Sequence, residues 1–318
     1  MDIGDPMSQK IYIRIRTGIL NIYAIKKDRL QLARSLYANA VTYTQEYDDI
    51  INDKEIECVA LAVETSAHYE LAKRALEAGK DIYVEKPFTD DVKKAIELKQ
   101  LAEERGLIIH VDHIMVYHPA IRKIKEILQT GEVGDIIWID CSRLNLGQVK
   151  NDVNSMWDLT VHDLAIVDYL TDGAHVQKVK AMGTKMYSEK HSITQLVVQY
   201  DGFFSSMRAS WISPIKERKL IVAGTKKMIV YDDVEVVNKL IVYDKGFDVQ
   251  TNEEYAQYVV KARSGDAWIP QLNVEDALYN SLEHFRKCVE NRKQSMTNAD
   301  AAIRVIDILE RANSSLNE

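Results

Sequence analysis

The chain has 318 residues, of which 46% are hydrophobic and 28% are charged, and these globular values exclude fibrous and disordered classes. Its length fits two domains at roughly 100–200 residues each. The formal net charge of −7 argues against a protein that binds nucleic acid or an anionic membrane. Three cysteines without a CxxC pair, no metal-ligand cluster, no signal peptide and no long apolar run predict a cytoplasmic protein without a metal.

The first part of the chain alternates short apolar runs with helical patterns. Strands are predicted at residues 56–63, 81–84 and 107–111, and helices at residues 67–77 and 91–105. Gly79 and Gly106 follow the two helices, as is common at helix C-termini. Because strand and helix alternate, the chain is predicted to form parallel βαβ units, and hence a doubly wound, Rossmann-like sheet.

The second part changes to consecutive strands joined by short turns. They are predicted at residues 136–144, 176–186, 193–200, 203–212, 219–223, 228–231 and 239–243. Asp201-Gly202 is a hairpin signal, and the tail from 273 to 316 is predicted as two helices broken near 291–296. The expected plan is α/β: a Rossmann-like dinucleotide-binding domain over residues 1–118 and an α+β domain over 119–318. The second domain carries a large, mostly antiparallel open sheet for substrate binding and oligomerisation.

Glu85-Lys86-Pro87 follows a predicted strand, and ligands of open parallel sheets bind at the carboxyl ends of strands. A lysine there could bind a hydroxyl or, if desolvated, act as a base. The alternative is a surface lysine in a strand-to-helix turn.

Asp158 and His162 are spaced i, i+4, so on a helix they share one face. A carboxylate beside an imidazole suits a general base that takes a proton from an alcohol, and the alternative is a structural histidine near a helix N-terminus. Thr65, Ser66 and His68 follow the most apolar strand and could contact a cofactor. The alternative for Thr65 or Ser66 is a helix N-cap.

Tyr117 and His118 lie between the two halves, where a cleft between domains is expected. Arg143 and Lys150 follow or end a predicted strand and could meet an anionic substrate. The alternative for both basic residues is a solvated surface position.

Together these pieces resemble the Gfo/Idh/MocA family of NAD(P)-dependent oxidoreductases. The matching stretches are KDRLQLARSLY (27–37), ETSAHYELAKRALEAGKDIYVEKP (64–87), YHPAIRKIKEILQTGEVGDI (117–136), WDLTVHDL (157–164), GTKKMIVYDD (224–233) and MTNADAAIRVIDILERANSSL (296–316). Residues 144–159 look closest to branches that act on nucleotide-linked sugars, such as the UDP-N-acetylglucosamine 3-dehydrogenases.

The resemblance implies hydride transfer between a sugar or nucleotide-sugar carbon and NAD or NADP, in a homodimer or homotetramer formed through the open sheet. It implies that His162 accepts the proton, that Asp158 orients it, and that Lys86 holds the reacting hydroxyl. These three side chains are expected to converge on one pocket, within about 10 Å. Thr65, Ser66, His68, Glu85 and Lys86 map near the dinucleotide, and Tyr117, His118 and Arg143 are the expected substrate contacts.

The start of the chain departs from the family pattern, because the GxGxxG motif is missing and Gly4 and Gly18 are the only glycines before Gly79. Residues 10–16 alternate like a strand, whereas alignment places a helix at 8–19, and both alternatives stay open. Lys26-Lys27 follows the expected second strand, where the family has an acid. Losing two pyrophosphate hydrogen bonds would weaken binding by roughly two to four orders of magnitude, so weak NAD(P) binding is expected. A non-catalytic or truncated family member that binds a sugar or a protein partner is the alternative.

Overall fold

The computed structural model describes residues 20–23, 41–252 and 257–316. The sequence features predicted at 8–19 and at 26–37 therefore lie outside the described residues. The described chain forms two compact units, one holding the residues up to His113 together with Leu278–Asp307, and the other holding Ile114–Ala277 together with the residues from Ile308 onward.

The first unit is built on short parallel strands that alternate with helices. In chain order they are β1 (Leu20–Tyr23), β2 (Val41–Thr44), α1 (Tyr47–Ile51), β3 (Cys58–Leu61), α2 (Thr65–Glu77), β4 (Asp81–Glu85), α3 (Val92–Arg105) and β5 (Ile109–Asp112). Strand β1 pairs with β2, and β3, β4 and β5 form a sheet in that order, all in parallel. The predicted Rossmann-like architecture is confirmed.

Local sequence sets the limits of these elements. Helix α3 starts where the Asp91 carboxylate accepts the backbone N–H groups of Lys93 and Lys94, at 2.7 and 3.1 Å. It ends at Gly106, whose φ of +64° is the left-handed conformation that glycine adopts without strain. Ile82, Tyr83 and Val84 of β4 are consecutive and all buried, so both faces of the strand are covered, as expected of a parallel sheet with layers on both sides.

The two C-terminal helices, α6 (Ala277–Asn291) and α7 (Ala299–Leu316), leave a break where one was predicted. Both were predicted to lie in the second domain, yet most of α6 belongs to the first unit. The reason is a hydrophobic cluster in which α6 meets the parallel sheet, made of Cys58, Tyr83, Ile108, Phe285, Cys288 and Val289. Helical periodicity shows which face of α6 is apolar, but not which sheet covers it.

The second unit joins a few helices to one large sheet. It contains a 3₁₀ turn (Ile114–Tyr117), α4 (Pro119–Gln129), β6 (Ile136–Leu146), a π turn (Met156–Thr160), α5 (Val161–Leu170), β7 (Val176–Lys185), β8 (His191–Tyr200), β9 (Phe204–Ser210), β10 (Ile212–Gly224), β11 (Met228–Asp232), β12 (Leu240–Asn252) and β13 (Gln257–Trp268). The strand order is β13-β12-β11-β10-β6-β9-β8-β7. All neighbours are antiparallel except β6 and β9, so the mostly antiparallel sheet is confirmed.

Two strands were only partly foreseen. Strand β12 continues well past the predicted end at residue 243, and β13 was not predicted. After residue 243, where its pairing with β11 ends, β12 pairs only with β13 among the described strands. Residues 260–264 of β13 are mostly exposed. A ribbon with little buried surface lacks the regular apolar alternation on which strand prediction depends. The predicted hairpin at Asp201-Gly202 is confirmed, with Gly202 at φ +85°.

The eight-stranded sheet has one buried and one exposed face. In β8, Leu196 and Val198 are fully buried, whereas Ile193 and Val197 on the opposite face are 41% and 39% exposed. This alternation is the period of two that places successive side chains on opposite faces of a strand. Across the ranges that the structure describes, no helix is both long and apolar enough to cross a lipid bilayer.

Candidate active site

Four polar residues lie at the carboxyl edge of the parallel sheet in the first unit. Glu85 ends β4 and Lys86 follows it, with a cis peptide bond to Pro87. Asp112 ends β5 and His113 follows it. Glu85 and Asp112 are direct neighbours in the register of the two strands. This edge is where open α/β sheets bind their ligands.

The two carboxylates at this edge are unusually poor acids. Burial, and then the negative charge of Asp112, raise the pKa of Glu85 to about 7, and the Lys86 ammonium opposes the shift. Burial also raises the pKa of Asp112, against a hydrogen bond of 2.8 Å that Ser281 Oγ donates to Asp112 Oδ1. The pair therefore favours one negative charge over two, next to a lysine.

His113 was not singled out from the sequence, although it is the least satisfied side chain of this edge. It is 2% exposed, and neither ring nitrogen has a hydrogen-bond partner among the described residues. Burial, and then the Lys86 charge, lower its pKa to about 3, so the imidazole is neutral at pH 7. A neutral imidazole offers one donor and one acceptor to a ligand. The usable signal was its place directly after an apolar strand, as for Lys86.

Thr65 and Ser66 lie in the first turn of α2. The N-cap position belongs to Glu64, which makes no side-chain capping hydrogen bond, so the expected N-cap at Thr65 or Ser66 was wrong. Ser66 is exposed and Thr65 is partly buried. Backbone N–H groups and hydroxyls at a helix N-terminus suit an anionic or polar ligand, which keeps both residues as candidates for the cofactor site.

His68 joins the loops that follow β3 and β4. Its Nδ1 lies 2.9 Å from the carbonyl oxygen of Pro87, its Nε2 lies 3.1 Å from that of Val63, and the side chain is fully buried. Burial lowers its pKa, so it donates to one of the two carbonyls in its neutral form. This geometry favours a structural link between the two loops over a direct cofactor contact.

The described residues fit the carboxamide and ribose at the nicotinamide end of a dinucleotide. The first turn of α2 supplies N–H groups and hydroxyls, Lys86 supplies a cation, and the buried, unpartnered imidazole of His113 supplies one donor and one acceptor. A nicotinamide carboxamide and its ribose need such groups. The segment in which the family has its glycine loop lies outside the described residues.

Asp158 and His162 lie on one helical stretch of the second unit, which begins with a π turn that the sequence did not predict. The Asp158 carboxylate is fixed from two sides: Oδ1 accepts from Lys150 Nζ at 2.7 Å, and Oδ2 accepts from Trp211 Nε1 at 3.0 Å. Trp211 is nearly fully buried and was missed, because an apolar strand-end residue shows no sign of a polar role in sequence. Asn154 Oδ1 accepts the N–H of Trp157 at 3.0 Å and fixes the start of the turn.

His118 combines a structural role with access to a cavity. It is the N-cap of α4, and its Nδ1 accepts the N–H of Ala120 at 3.2 Å, while Tyr231 OH lies 3.4 Å from the same nitrogen. It also lines a cavity of about 500 Å³, a usual size for a small-molecule pocket. The cavity is further lined by Lys239, Gln271, Asn273, Glu275 and the apolar residues Val236, Val237 and Ile269. Tyr117, next to His118, is buried at the end of the 3₁₀ turn.

Arg143 is buried against Asp163. Its Nη2 and Nε donate to Asp163 Oδ1 at 2.8 and 3.2 Å, and both side chains are at most 10% exposed. Burial raises the pKa of Asp163, and Arg143 opposes that shift. The pairing favours a structural role for Arg143 over the expected substrate contact.

Lys150 is half-exposed and pairs with Asp158. Within the described ranges, no three His, Cys, Asp or Glu side chains are grouped as metal ligands.

Comparison with known proteins places both units in one family. Residues 9–113 match the model of an oxidoreductase family with an NAD-binding Rossmann fold, and residues 121–230 match the Gfo/Idh/MocA C-terminal domain. The chain is 25% identical over 301 residues to the scyllo-inositol 2-dehydrogenase (NAD(+)) of Bacillus subtilis, which covers 90% of this chain and 83% of the relative. It is 29% identical over 195 residues to the UDP-N-acetylglucosamine 3-dehydrogenase of Acidithiobacillus ferrooxidans, which covers 60% of each protein.

Solved structures agree on the fold. A structure of that Acidithiobacillus enzyme superimposes with a TM-score of 0.77 at 22% identity, over 92% of this chain and 88% of the other. An aldose-aldose oxidoreductase from Caulobacter crescentus gives a TM-score of 0.76 at 14% identity, over 93% and 88% of the two chains. The matched Rossmann domain is an NAD-binding one, so the cofactor is NAD or NADP. The chain belongs to the Gfo/Idh/MocA family of oxidoreductases.

Proposed function

We propose that the chain is an NAD(P)-dependent dehydrogenase that oxidises a hydroxyl-bearing carbon of a sugar or nucleotide sugar, or reduces the corresponding carbonyl. The observation that carries this proposal is the carboxyl edge of β4 and β5, where Lys86 follows β4, the neighbouring strand ends hold two buried carboxyl groups, and His113 supplies a neutral imidazole without a hydrogen-bond partner among the described residues. Bound NAD(P) supplies the hydride acceptor or donor. The relatives that are named as inositol and nucleotide-sugar dehydrogenases support the substrate class.

In this proposal the proton is handled by two side chains of the second unit. His162 takes the hydroxyl proton as general base, and Asp158 sets the tautomer and orientation of that imidazole. Lys150 and Trp211 each bind one oxygen of the Asp158 carboxylate. The carboxylate that orients His162 is therefore itself fixed in position. Lys86 binds the reacting oxygen and stabilises the negative charge that develops there. Lys86 and the Asp158–His162 pair are proposed to act on one substrate.

The test is the rate of nucleotide reduction at 340 nm in the His162→Ala and Lys86→Met variants. Loss of a general base costs typically 10²–10⁴-fold in rate, so kcat is expected to fall by about that factor in H162A. The kcat of the Lys86→Met/His162→Ala double variant is expected to be close to that of the slower single variant, because the effects of groups that act as a unit are not additive. His175→Ala and Lys94→Met, at partly or largely exposed sites, are the matched controls and should keep the parental rate.

A second candidate, a family member that binds its ligand without catalysis, is favoured by the missing GxGxxG before Gly79. It predicts sugar or nucleotide-sugar binding by calorimetry with no change at 340 nm at any cofactor concentration. Reduction of millimolar NAD⁺ or NADP⁺ that is lost in H162A would exclude this candidate.

We further propose a cytoplasmic homo-oligomer formed through the exposed face of the eight-stranded sheet. Ile193, Val197 and Phe204 of β8 and β9 are each about two-fifths exposed there, and clustered apolar surface of this kind commonly marks an interface. Buried free thiols at Cys58, Cys141 and Cys288 are compatible with a reducing compartment. Light scattering of Val197→Lys tests the interface, with Asp90→Lys at an exposed acid of the first unit as its control. A dimer or tetramer that V197K dissociates and D90K leaves intact supports the interface, whereas a monomeric parental chain or an intact V197K oligomer contradicts it.

A further inference from the structure

Strands β12 and β13 continue past the rest of the eight-stranded sheet as a two-stranded ribbon. Their antiparallel register runs on over residues 245–252 and 257–264, which we call the ribbon, whereas the pairing of β12 with β11 ends at Tyr243. A two-stranded hairpin by itself is only marginally stable in water. A ribbon of this length is therefore expected to pack on a further surface.

The ribbon has one apolar and one polar face. Phe247 lies opposite Ala262, and Val260 is on the same face because its partner in register is two residues after Phe247. All three side chains are exposed, Phe247 by 60% and Val260 by 59%. Asp248 lies opposite Lys261 on the other face. Among the described residues, the apolar face is thus left without a cover.

The polar face is the one that contacts the rest of the unit. Arg263 Nη2 donates to the Lys226 carbonyl oxygen at 2.6 Å, and the guanidinium pairs with Asp244 and, at 3.4 Å, with Asp248. Gly246 on this face is buried, and a Cβ there would lie 3.2 Å from the Lys226 carbonyl oxygen. A ribbon that packed on its own chain would turn its apolar side chains toward that chain instead. The exposed apolar face is therefore expected to meet another molecule.

The apolar face of the ribbon continues the exposed face of the sheet. Leu240 and Val242 of β12 are fully buried, so Ile241 and Phe247 lie on the opposite side of the strand. The register shift between sheet and ribbon adds its extra residue to β13, so the alternation along β12 is not interrupted. One row of paired residues joins Ile241, through β11, β10, β6 and β9, to Val197 of β8. Phe247 and Val197 thus belong to one continuous face.

This face has the size that a stable dimer needs. The sheet has eight strands, and β6 and β9 are paired over seven residues, from Trp138 to Leu144. With strands about 4.8 Å apart and about 3.3 Å per residue, one face covers roughly 800 Å². A standard interface buries about 800 Å² per partner. In a two-fold dimer the same surface is used by both copies, so the ribbon of each copy would reach the exposed face of the other.

We propose that the ribbon is an arm that packs its apolar face, formed by Phe247, Val260 and Ala262, on the exposed sheet face of a second copy of this chain. The inference rests on the proposed homo-oligomer. It adds to that interface a segment that lies outside the sheet, and in a two-fold pair the contact is made twice.

Photo-crosslinking of the full chain identifies what covers the ribbon. Phe247→p-benzoylphenylalanine replaces one exposed aromatic side chain by another, and Lys261→p-benzoylphenylalanine on the polar face is its matched control. After irradiation, a denaturing gel separates covalent dimers from chains that are crosslinked only internally. The probe at position 247 should give covalent dimers, with the second end at a residue of the exposed sheet face by mass spectrometry. The probe at position 261 should give few.

Sedimentation velocity over a dilution series measures the strength of the contact. Phe247→Lys should weaken association at least about tenfold, because the loss of a buried aromatic anchor commonly costs an interface this much. Lys261→Gln, on the polar face, should associate as the parental chain does. Both sites are exposed in the single chain, so both variants should keep the parental circular dichroism spectrum.

A monomeric parental chain, a folded F247K variant that associates like the parental chain, or a probe at position 247 that gives no more covalent dimer than one at position 261 would overturn the proposal. An oligomer that V197K dissociates and F247K leaves intact would keep the sheet interface and refute the arm. None of these measurements uses cofactor or sugar, so their outcome is separate from that of the dehydrogenase assay at 340 nm.

Discussion

Removing either partner of the buried Arg143–Asp163 pair should destabilise the second unit without a specific effect on substrate binding. Both side chains are at most 10% exposed, so neither can return to water when its partner is lost. Breaking such a pair costs about 3–5 kcal/mol, a large part of a typical stability of about 5–15 kcal/mol. Arg143→Met with Asp163→Leu, which removes both charges, should recover most of the loss.

The pH dependence separates the two single variants. In Asp163→Asn the guanidinium stays charged at every pH, so only Asp163 of the parental chain makes the loss of stability depend on pH. Because burial raises the pKa of that carboxyl, parental stability falls as pH rises through it, and the loss should not grow from pH 5 to pH 8. In R143M the pKa of Asp163 rises further, because the cation that lowered it is gone. A carboxyl with a raised pKa in the folded state is stabilising when protonated, so the loss should be smaller at pH 5 and grow as pH rises.

Urea unfolding followed by tryptophan fluorescence measures these differences, with Asp90→Asn at the exposed Lys94–Asp90 pair as the control. That control should change the free energy of unfolding by less than about 1 kcal/mol. Unchanged stability in R143M together with a large rise in KM would refute the structural role and restore Arg143 as a substrate contact.

Three further predictions test other parts of the account. Trp211→Phe removes the N–H that donates to Asp158 Oδ2, and it should lower kcat by a larger factor than it raises KM. A variant that loses stability but keeps the parental kcat and KM would contradict the role of Trp211 in holding Asp158. Gly224→Ala would bring a Cβ well inside contact distance of the Val133 carbonyl oxygen, and it should lower the free energy of unfolding by about 1–3 kcal/mol in a urea titration; an unaffected midpoint would show that the backbone there gives way. Calorimetry with NAD⁺ and NADP⁺ should give dissociation constants well above the micromolar range, because the chain has no GxGxxG before Gly79, and a low-micromolar value would contradict this expectation.

The parallel sheet was predictable because its signals are strong and local. Residues 56–63 and 81–84 are apolar runs bounded by turn signals, and the strands found at Cys58–Leu61 and Asp81–Glu85 fall within one or two residues of them. The position of Lys86 followed at once, because it is the first residue after such a strand. His113 holds the same position after β5, but a single histidine after a strand carries no motif that marks it.

The packing partners were not predictable, since they depend on residues far apart in sequence. His68 was expected near the cofactor, but it bonds two backbone carbonyls, which no side-chain pattern reveals. Arg143 was expected at the substrate because it ends a strand, yet its burial depends on Asp163, twenty residues later. Asp158 was recognised, but Trp211, which holds it, is fifty-three residues away. Sequence patterns identify which groups carry charge, whereas tertiary contacts decide which of them remain available to a ligand.

The most direct test of the account is absorbance at 340 nm when the chain is mixed with millimolar NAD⁺ or NADP⁺ and a panel of sugars, inositols and nucleotide sugars. The account predicts nucleotide reduction with at least one member of the panel, and loss of that signal by about 10²-fold or more in the folded His162→Ala variant. A folded parental chain that binds a panel member yet reduces neither nucleotide, or an H162A variant with the parental rate, would contradict it.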